Sequence, residues 1–181
     1  MKSKGNSPDE PTLNLLNLQN PLHPTRKEPI MIRLLFISHT GNNEPPMAQC
    51  IMDHLIQKAG LTDSLSVSAA SFAKEGAPLS KAAQETLSAH GIPYTMKKTF
   101  PIAWKTYDDY DFILLMNDKN NPDIFNTIGG DVDEKIHLLS EYAGKETDIP
   151  NPHKGAAFED AYEEEEKACK GLLKKLEAWI R

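Results

Sequence analysis

The chain has few cysteines, few aromatic residues and a deficit of positive charge. Its 181 residues include two cysteines, 7% aromatic residues, and 20 basic against 26 acidic residues, which gives a net charge of −6. A basic stripe with interleaved aromatic residues, the usual mark of a nucleic-acid surface, is absent from the sequence. The negative charge also disfavours binding to an anionic membrane. We therefore expect neither nucleic acid nor a membrane among the partners of this protein.

The two cysteines, Cys50 and Cys169, show neither metal-ligand spacing nor a Cys-x-x-Cys pair. Both fall among apolar residues on predicted helix faces, which favours buried free thiols. Free thiols are typical of a reducing compartment, so we expect a cytoplasmic protein. No apolar run is long enough to cross a bilayer, and His39, His137 and His153 match no standard metal motif. The sequence thus predicts no bound metal and no cofactor.

Residues 1–30 differ in composition from the rest of the chain. They contain five prolines and repeated Asn and Leu, and no continuous apolar stretch follows the basic start, which argues against a secretory signal. We expect a flexible N-terminal extension at 1–30 and one domain at 31–181. Two alternatives stay open: Met31 is the natural start of the protein, or residues 13–18 form a short motif that binds a partner.

Beyond residue 30, strand-like and helix-like segments alternate, which predicts a parallel sheet with helices on both faces. The expected architecture is a three-layer α/β sandwich with a four-stranded sheet. Pro46 suits the first turn of a helix, and Ser80 suits a helix N-cap. The predicted strands are 32–37, 64–69, 111–116 and 135–138, and the predicted helices are 46–59, 80–90, 122–128 and 158–180.

The connection between the first predicted strand and the first predicted helix has the form of an anion site. A strand, a tight polar turn and a helix N-terminus bring free backbone N–H groups and the positive end of the helix dipole together. Open α/β sheets bind their ligands at the carboxyl ends of such strands. Yet this connection, from Ser38 to Pro45, contains no Cys, Lys or Arg, and it carries an acid at Glu44.

Several short segments resemble, in their order and spacing, the low-molecular-weight protein tyrosine phosphatase family. They are residues 46–48 at the first helix, 68–71 after the second strand, 90–92 at the exit of the second helix, 109–116 over the third strand, 149–152, and 158–173 in the last helix. The resemblance implies a Rossmann-like sheet and a phosphate-binding loop, or P-loop, after the first strand. It also implies descent from enzymes that hydrolyse phosphotyrosine.

The resemblance places each functional position of the family on a residue of this sequence. Ser38 stands where the family has its nucleophilic Cys, and Glu44 stands where it has the phosphate-binding Arg. Pro45 replaces the Ser that assists the thiolate, and Asn151 replaces the Asp that protonates the leaving group. No catalytic residue of the family is therefore left in place. The expected protein is an inactive pseudophosphatase that acts as a binding or regulatory module.

The polar residues of the degenerate loop, together with two residues of the segment that approaches it in the family, define the predicted binding site. They are Ser38, His39, Thr40, Gly41, Asn42, Asn43, Glu44, Asn151 and His153. We expect Ser38 to bond loop amides through its hydroxyl, and Glu44 to fill the vacant anion cradle. A protein partner or a second copy of the chain would bind at the rim of the former active site.

Two alternative functions stay open. The first is a residual or repurposed hydrolase, similar to a phosphatase or an arsenate reductase, that uses the loop from Ser38 to Pro45 with His39 and His153, with or without a metal. The second is a relic with no retained function. Resemblance of fold does not choose among these functions, because function resides in the site.

Overall fold

The computed structural model describes residues 31–38, 44–72, 79–94, 99–117, 122–150 and 157–180. At residues 38 and 44–46 the description covers the backbone alone. The predicted flexible extension at residues 1–30 lies outside these ranges.

Strands and helices alternate along the described part of the chain. The strands are β1 (Ile32–Ser38), β2 (Leu65–Ser71), β3 (Phe100–Pro101), β4 (Phe112–Leu115) and β5 (Ile136–Leu138). The α-helices are α1 (Glu44–Lys58), α2 (Lys81–Ala89), α3 (Thr106–Asp109), α4 (Pro122–Ile128) and α5 (Ala157–Ile180), and a 3₁₀ helix (Leu139–Ala143) follows β5.

The strands form one parallel sheet in the order β3-β2-β1-β4-β5. β1 lies at the centre, where it pairs with β2 on one side and with β4 on the other. The chain moves outward from β1 to β2 and β3, and then returns to the other side of β1 to form β4 and β5. The strand order therefore reverses between β1 and β4, which is where open α/β sheets bind their ligands.

The three-layer α/β architecture with a parallel sheet is confirmed, but the prediction of a four-stranded sheet is wrong. The additional strand, β3, consists of Phe100 and Pro101, which pair with Ala70 and Ser71. Two residues are too few to show a strand period. Proline is also confined to edge positions in sheets, so Pro101 argues against a strand when the sequence is considered alone.

The boundaries of the helices differ from the predicted ones in a few places. α1 begins at Glu44, two residues before the predicted start at Pro46, because the first turn of a helix tolerates residues without a free N–H. Neither α3 nor the 3₁₀ helix is predicted, since four or five residues do not display a helical period. α4 occupies its predicted range, Pro122–Ile128.

Apolar side chains pack on both faces of the sheet. Along β1, Leu34 and Phe36 belong to one cluster, whereas Leu35 and Ile37 belong to the other, as the period of two requires. α1, α2 and α5 cover the first face, and α3 and α4 cover the second. Because the middle of β1 is buried on both faces, residues 34–37 form a continuous apolar run.

The longest helix, α5, packs against α1 and against the 3₁₀ helix. Cys50 on α1 and Cys169 on α5 are both buried and form no disulfide, which confirms the interpretation of the two cysteines as buried thiols. Within the described ranges, every helix is too short or too polar to span a lipid bilayer.

Candidate functional site

The candidate site lies at the carboxyl end of the central strand. β1 ends at Ser38 and α1 begins at Glu44, so five residues, 39–43, connect the centre of the sheet to the helix. β2 and β4 flank β1 in parallel, and their carboxyl ends therefore lie at the same edge. The described backbone thus keeps the strand, short connection and helix start that an anion site requires.

A second segment starts from the same edge, beside β4. The Met116 N–H donates a hydrogen bond to the Ile37 carbonyl (3.0 Å), and the Ile149 N–H donates one to the Met116 carbonyl (2.9 Å). Ile149 is buried in the core. These two bonds link Ile149, two residues before Asn151 in the sequence, to the end of β1 through Met116.

Buried hydrogen bonds tie α1 and β2 together on the other side of β1. The Gln49 amide donates to the Val67 carbonyl (3.0 Å), which joins the second turn of α1 to the middle of β2. Ser71, the ladder partner of Ser38, lies with its hydroxyl 3.3 Å from that of Thr99. The side chains of Gln49, Ser71 and Thr99 are all buried. The polar side chains next to the site therefore form their hydrogen bonds with other groups of the protein.

The first turn of α1 has a reduced capacity to bind anions. A helix N-terminus offers the N–H groups that have no acceptor within the helix. In α1 these positions include Pro45 and Pro46, which have no N–H to offer. Glu44, the first residue of the helix, is also an acid, and its negative charge lowers the positive potential of this helix end. The frame of the anion site is kept, whereas part of its donor set is lost.

Sequence comparison identifies the family to which this frame belongs. Residues 33–180 match the model of the low molecular weight phosphotyrosine protein phosphatase family. The chain belongs to this family. The expected resemblance is thereby confirmed, and it extends from β1 through α5.

Characterised members of the phosphatase family are similar along most of their length. The low molecular weight protein-tyrosine-phosphatase PtpA of Staphylococcus epidermidis is 27% identical over 148 residues, which cover 79% of this chain and 92% of PtpA. The crystal structure of YfkJ from Bacillus subtilis superposes with a TM-score of 0.76 at 24% identity and covers 83% of this chain and 98% of YfkJ. A protein tyrosine phosphatase from Entamoeba histolytica has a TM-score of 0.74 at 22% identity, with 81% and 96% covered.

Most of the predicted binding residues lie outside the described part of the structure. This applies to His39, Thr40, Gly41, Asn42, Asn43, Asn151 and His153. Ser38, Glu44 and Pro45 are described by their backbone, which places Ser38 at the end of β1 and the other two in the first turn of α1. In the sequence, residues 39–43 lie between β1 and α1, and residues 151–156 lie between the hydrogen-bonded Ile149 and α5.

The first turns of α5, which follow the Asn151 segment, are fixed to the end of α2. The His90 ring stacks on Tyr162 with a centroid distance of 3.8 Å, and its Nε2 lies 2.5 Å from a carboxylate oxygen of Glu159. Burial, followed by the charge of Glu166, raises the pKa of Tyr162. Because Tyr162 stays neutral, this junction is a packing contact that anchors the start of α5.

Some residues at the site are not singled out by the sequence. Gln49 has a recognisable signal, a polar residue between apolar neighbours on a helix, whereas Thr99 has none. His137 lies on β5 with its ring near Phe112 and Tyr142, 5.9 and 6.2 Å between centroids, so its role is aromatic packing. No group of three or more His, Cys, Asp or Glu among the described residues is placed to hold a metal ion.

Proposed function

We propose that this chain is a catalytically inactive member of the low molecular weight phosphatase family that acts as a binding or regulatory module. One observation carries the proposal: the three positions that supply nucleophile, phosphate clamp and general acid in the family hold Ser38, Glu44 and Asn151. The sheet order and the length of the connection between β1 and α1 are kept around them. The scaffold is thus retained while the reactive groups are replaced.

Each replacement removes a different requirement of phosphoryl transfer. A thiolate attacks phosphorus because nearby positive charge and a helix N-terminus lower its pKa, whereas a serine hydroxyl needs a general base. A guanidinium binds the equatorial oxygens and balances their charge. A carboxylate in its place repels a phosphate dianion by an amount on the order of several kcal/mol. An amide at Asn151 cannot protonate the leaving group, which forfeits roughly 10²–10⁴ in rate.

A binding role would use the rim of the former active site. The rim lies at the carboxyl edge of the sheet, where surface residues change without disturbing the core. A protein partner or a second copy of the chain would act there by occupancy or competition, with no turnover. Nucleic acid and membranes stay disfavoured by the net charge of −6.

A second candidate function, a residual or repurposed hydrolase, is favoured by the frame itself. A strand end and a helix start separated by five residues form the arrangement that binds anions in other proteins. Ser38 would be the nucleophile and His39 or His153 the base. Hydrolysis of aryl phosphates by the unmodified chain would favour this candidate.

Steady-state assays with a generic aryl phosphate distinguish the two functions. We expect the unmodified chain to hydrolyse it no faster than a Glu44→Ala variant does. Turnover well above that variant would overturn the proposal.

Restoring the family residues tests whether the scaffold is intact. We expect Ser38→Cys, Glu44→Arg and Asn151→Asp, combined in one chain, to produce measurable turnover that vanishes when Ser38 is left unchanged. The matched control carries Glu44→Arg and Asn151→Asp alone. If the triple variant folds and stays inactive, the loop has lost more than its reactive side chains.

A further inference from the structure

Glu165 is a carboxylic acid with no solvent-exposed surface, in the middle of α5. Its neighbours on the same helix stripe, Ala161, Ala168 and Leu172, are also fully buried. The adjacent Glu163 and Glu164, in contrast, lie on the outer part of the helix, and Glu164 pairs with Lys145. Glu165 therefore directs its side chain into the protein, whereas the acids before it serve as ordinary surface charges.

α1 and α5 run in the same direction, from the carboxyl edge of the sheet toward its amino edge. Five residues separate the end of β1 from the start of α1. Soon after the end of α1, the Ser64 carbonyl accepts a hydrogen bond from the N–H of Ile32, at the start of β1 (2.8 Å). α5 starts soon after Ile149, whose N–H donates to the carbonyl of Met116, just beyond the end of β4. Near the end of α5, the ring centroid of Trp179 lies 5.6 Å from that of Phe112, at the start of β4. The N-termini of both helices thus lie at the edge that carries the candidate site.

One contact fixes the axial register of the two helices. The Cys169 thiol donates to the Ala48 carbonyl at a sulfur–oxygen distance of 3.9 Å. Glu165 lies four residues before Cys169, about 6 Å closer to the carboxyl edge. Glu44, the first residue of α1, lies four residues before Ala48 and therefore at the same height along the helix axis as Glu165. The side chain of Glu165 is therefore level with the first turn of α1.

A fully buried carboxylate needs hydrogen-bond donors or positive potential, because an uncompensated charge is expensive in the interior. The N-terminus of α1, whose Pro45 and Pro46 have no N–H, still supplies positive potential. We propose that Glu165 is an internal anion seated against the first turn of α1, from the core side. It occupies the positive end of the helix that a bound phosphate would otherwise use, and its charge is additional to that of Glu44. This inference rests on the proposed loss of phosphatase function and gives a second, buried cause for the loss of anion binding.

The effect of the charge is already visible at the neighbouring thiol. Burial, and then the carboxylates of Glu165 and Glu166, raise the pKa of Cys169 well above its usual value. The charge of Glu165 disfavours the thiolate form of Cys169, and it repels an anion at the N-terminus of α1 for the same reason. Neutralising Glu44 alone should therefore leave the helix end unfavourable for sulfate or phosphate.

The test measures thermal unfolding with increasing sulfate in two matched double variants. Glu44→Gln with Glu165→Gln removes both charges, and Glu44→Gln with Glu163→Gln removes the same number of charges but leaves Glu165. We expect sulfate at roughly ten times its Kd to raise the Tm of the first variant by about 3–6 °C and to leave the second unchanged. Equal responses of the two folded variants would overturn the inference.

Two further measurements apply if Glu165→Gln does not fold. Glu165→Met keeps the volume without the charge, and such replacements of buried charges are often tolerated; it should reproduce the sulfate response. In the unmodified chain, NMR should show NOEs from the side-chain methylenes of Glu165 to the amide protons of Glu44 or Met47. NOEs to the 3₁₀ helix alone would contradict the placement. Neither result depends on the phosphatase assay, since hydrolysis by the unmodified chain overturns the proposed function and leaves this placement unaffected.

Discussion

At the scale of single residues, Gly171 differs from the other described glycines, because any side chain at this position would collide with the backbone of another segment. A Cβ built there overlaps the Tyr142 carbonyl oxygen and lies 2.9 Å from its carbon, whereas the other described glycines have open space at this position. Gly171 is thus the point at which α5 approaches the 3₁₀ helix most closely. The contact explains a glycine within a helix, where it otherwise costs stability.

Replacing Gly171 tests this close approach. We expect Gly171→Ala to lower the free energy of unfolding by about 1–3 kcal/mol, because the methyl group forces backbone apart. Helix propensity alone would raise it by about 1 kcal/mol, so the sign of the change decides between the two effects. Urea denaturation measures it, with Lys174→Ala on the exposed side of α5 as the control. A stabilised variant would show that the two segments separate at little cost.

Single residues are also where sequence-based prediction is weakest. The need for a glycine at position 171 and the burial of Glu165 both arise from a partner segment that is distant in sequence. Four consecutive acids, Glu163 to Glu166, read as one solvated face, although the structure buries the third of them completely. The assignment of Ser38, Glu44 and Asn151 to the functional positions of the family depends on sequence register and on no contact, and it stays a prediction.

At the scale of elements, one loop is held to a helix by a compact polar network. The Tyr107 hydroxyl on α3 donates to Asp131 (2.8 Å) and accepts from the Asp133 N–H (2.8 Å). The Asp131 carboxylate also accepts from the N–H groups of Lys135 (2.8 Å) and Ile136 (3.2 Å). The network fixes the entry into β5. It was not predicted, since nothing local in the sequence joins residue 107 to residue 131.

Removing the Tyr107 hydroxyl should weaken this loop and change the response to alkali. We expect Tyr107→Phe to cost about 1–3 kcal/mol at pH 7, because it leaves a backbone N–H and a carboxylate short of a partner. Chemical denaturation measures the loss, with the half-exposed Tyr94→Phe as the control. An unchanged free energy of unfolding would show that water replaces the hydroxyl without loss.

The alkaline response follows from the pKa of Tyr107, which burial, the largest cause, raises from 10.0 to about 12. A pKa raised by folding contributes stability that is complete below pH 10 and is lost as the pH rises through 12. The unmodified chain should therefore lose more stability between pH 10 and 12 than Tyr107→Phe does. Tyr142 and Tyr162 titrate alike in both proteins and cancel from the comparison. Parallel stability–pH curves would contradict the assignment to Tyr107.

At the scale of the whole molecule, the parallel α/β architecture could be predicted from alternating strand and helix patterns, because long elements carry clear periods. The four longer strands were placed to within a few residues. β3 and the 3₁₀ helix could not be predicted, since they form only where tertiary packing holds them. The strand order reverses beside β1, where such sheets bind their ligands, so the predicted position of the site is consistent with the topology.

The boundary of the domain gives a prediction at this scale. The described sheet and both apolar clusters consist of residues from Ile32 onward. We expect a chain that starts at Met31 to unfold within about 2 °C of the full chain, as calorimetry would measure. A chain that starts at residue 37 should not fold, because it lacks most of the central strand. A large drop in Tm for the first truncation would assign stabilising contacts to residues 1–30.

The short outer strands of the sheet bear on how copies of this protein meet. Edge strands with long rows of free N–H and C=O groups recruit other strands and lead to aggregation. Here the described outer strands, β3 and β5, have two and three residues, and β3 contains Pro101, which has no N–H to share. A strand added at either of these edges would therefore find few backbone groups with which to form hydrogen bonds. The described edges therefore favour self-association through side-chain surfaces, whose specificity a point substitution can change.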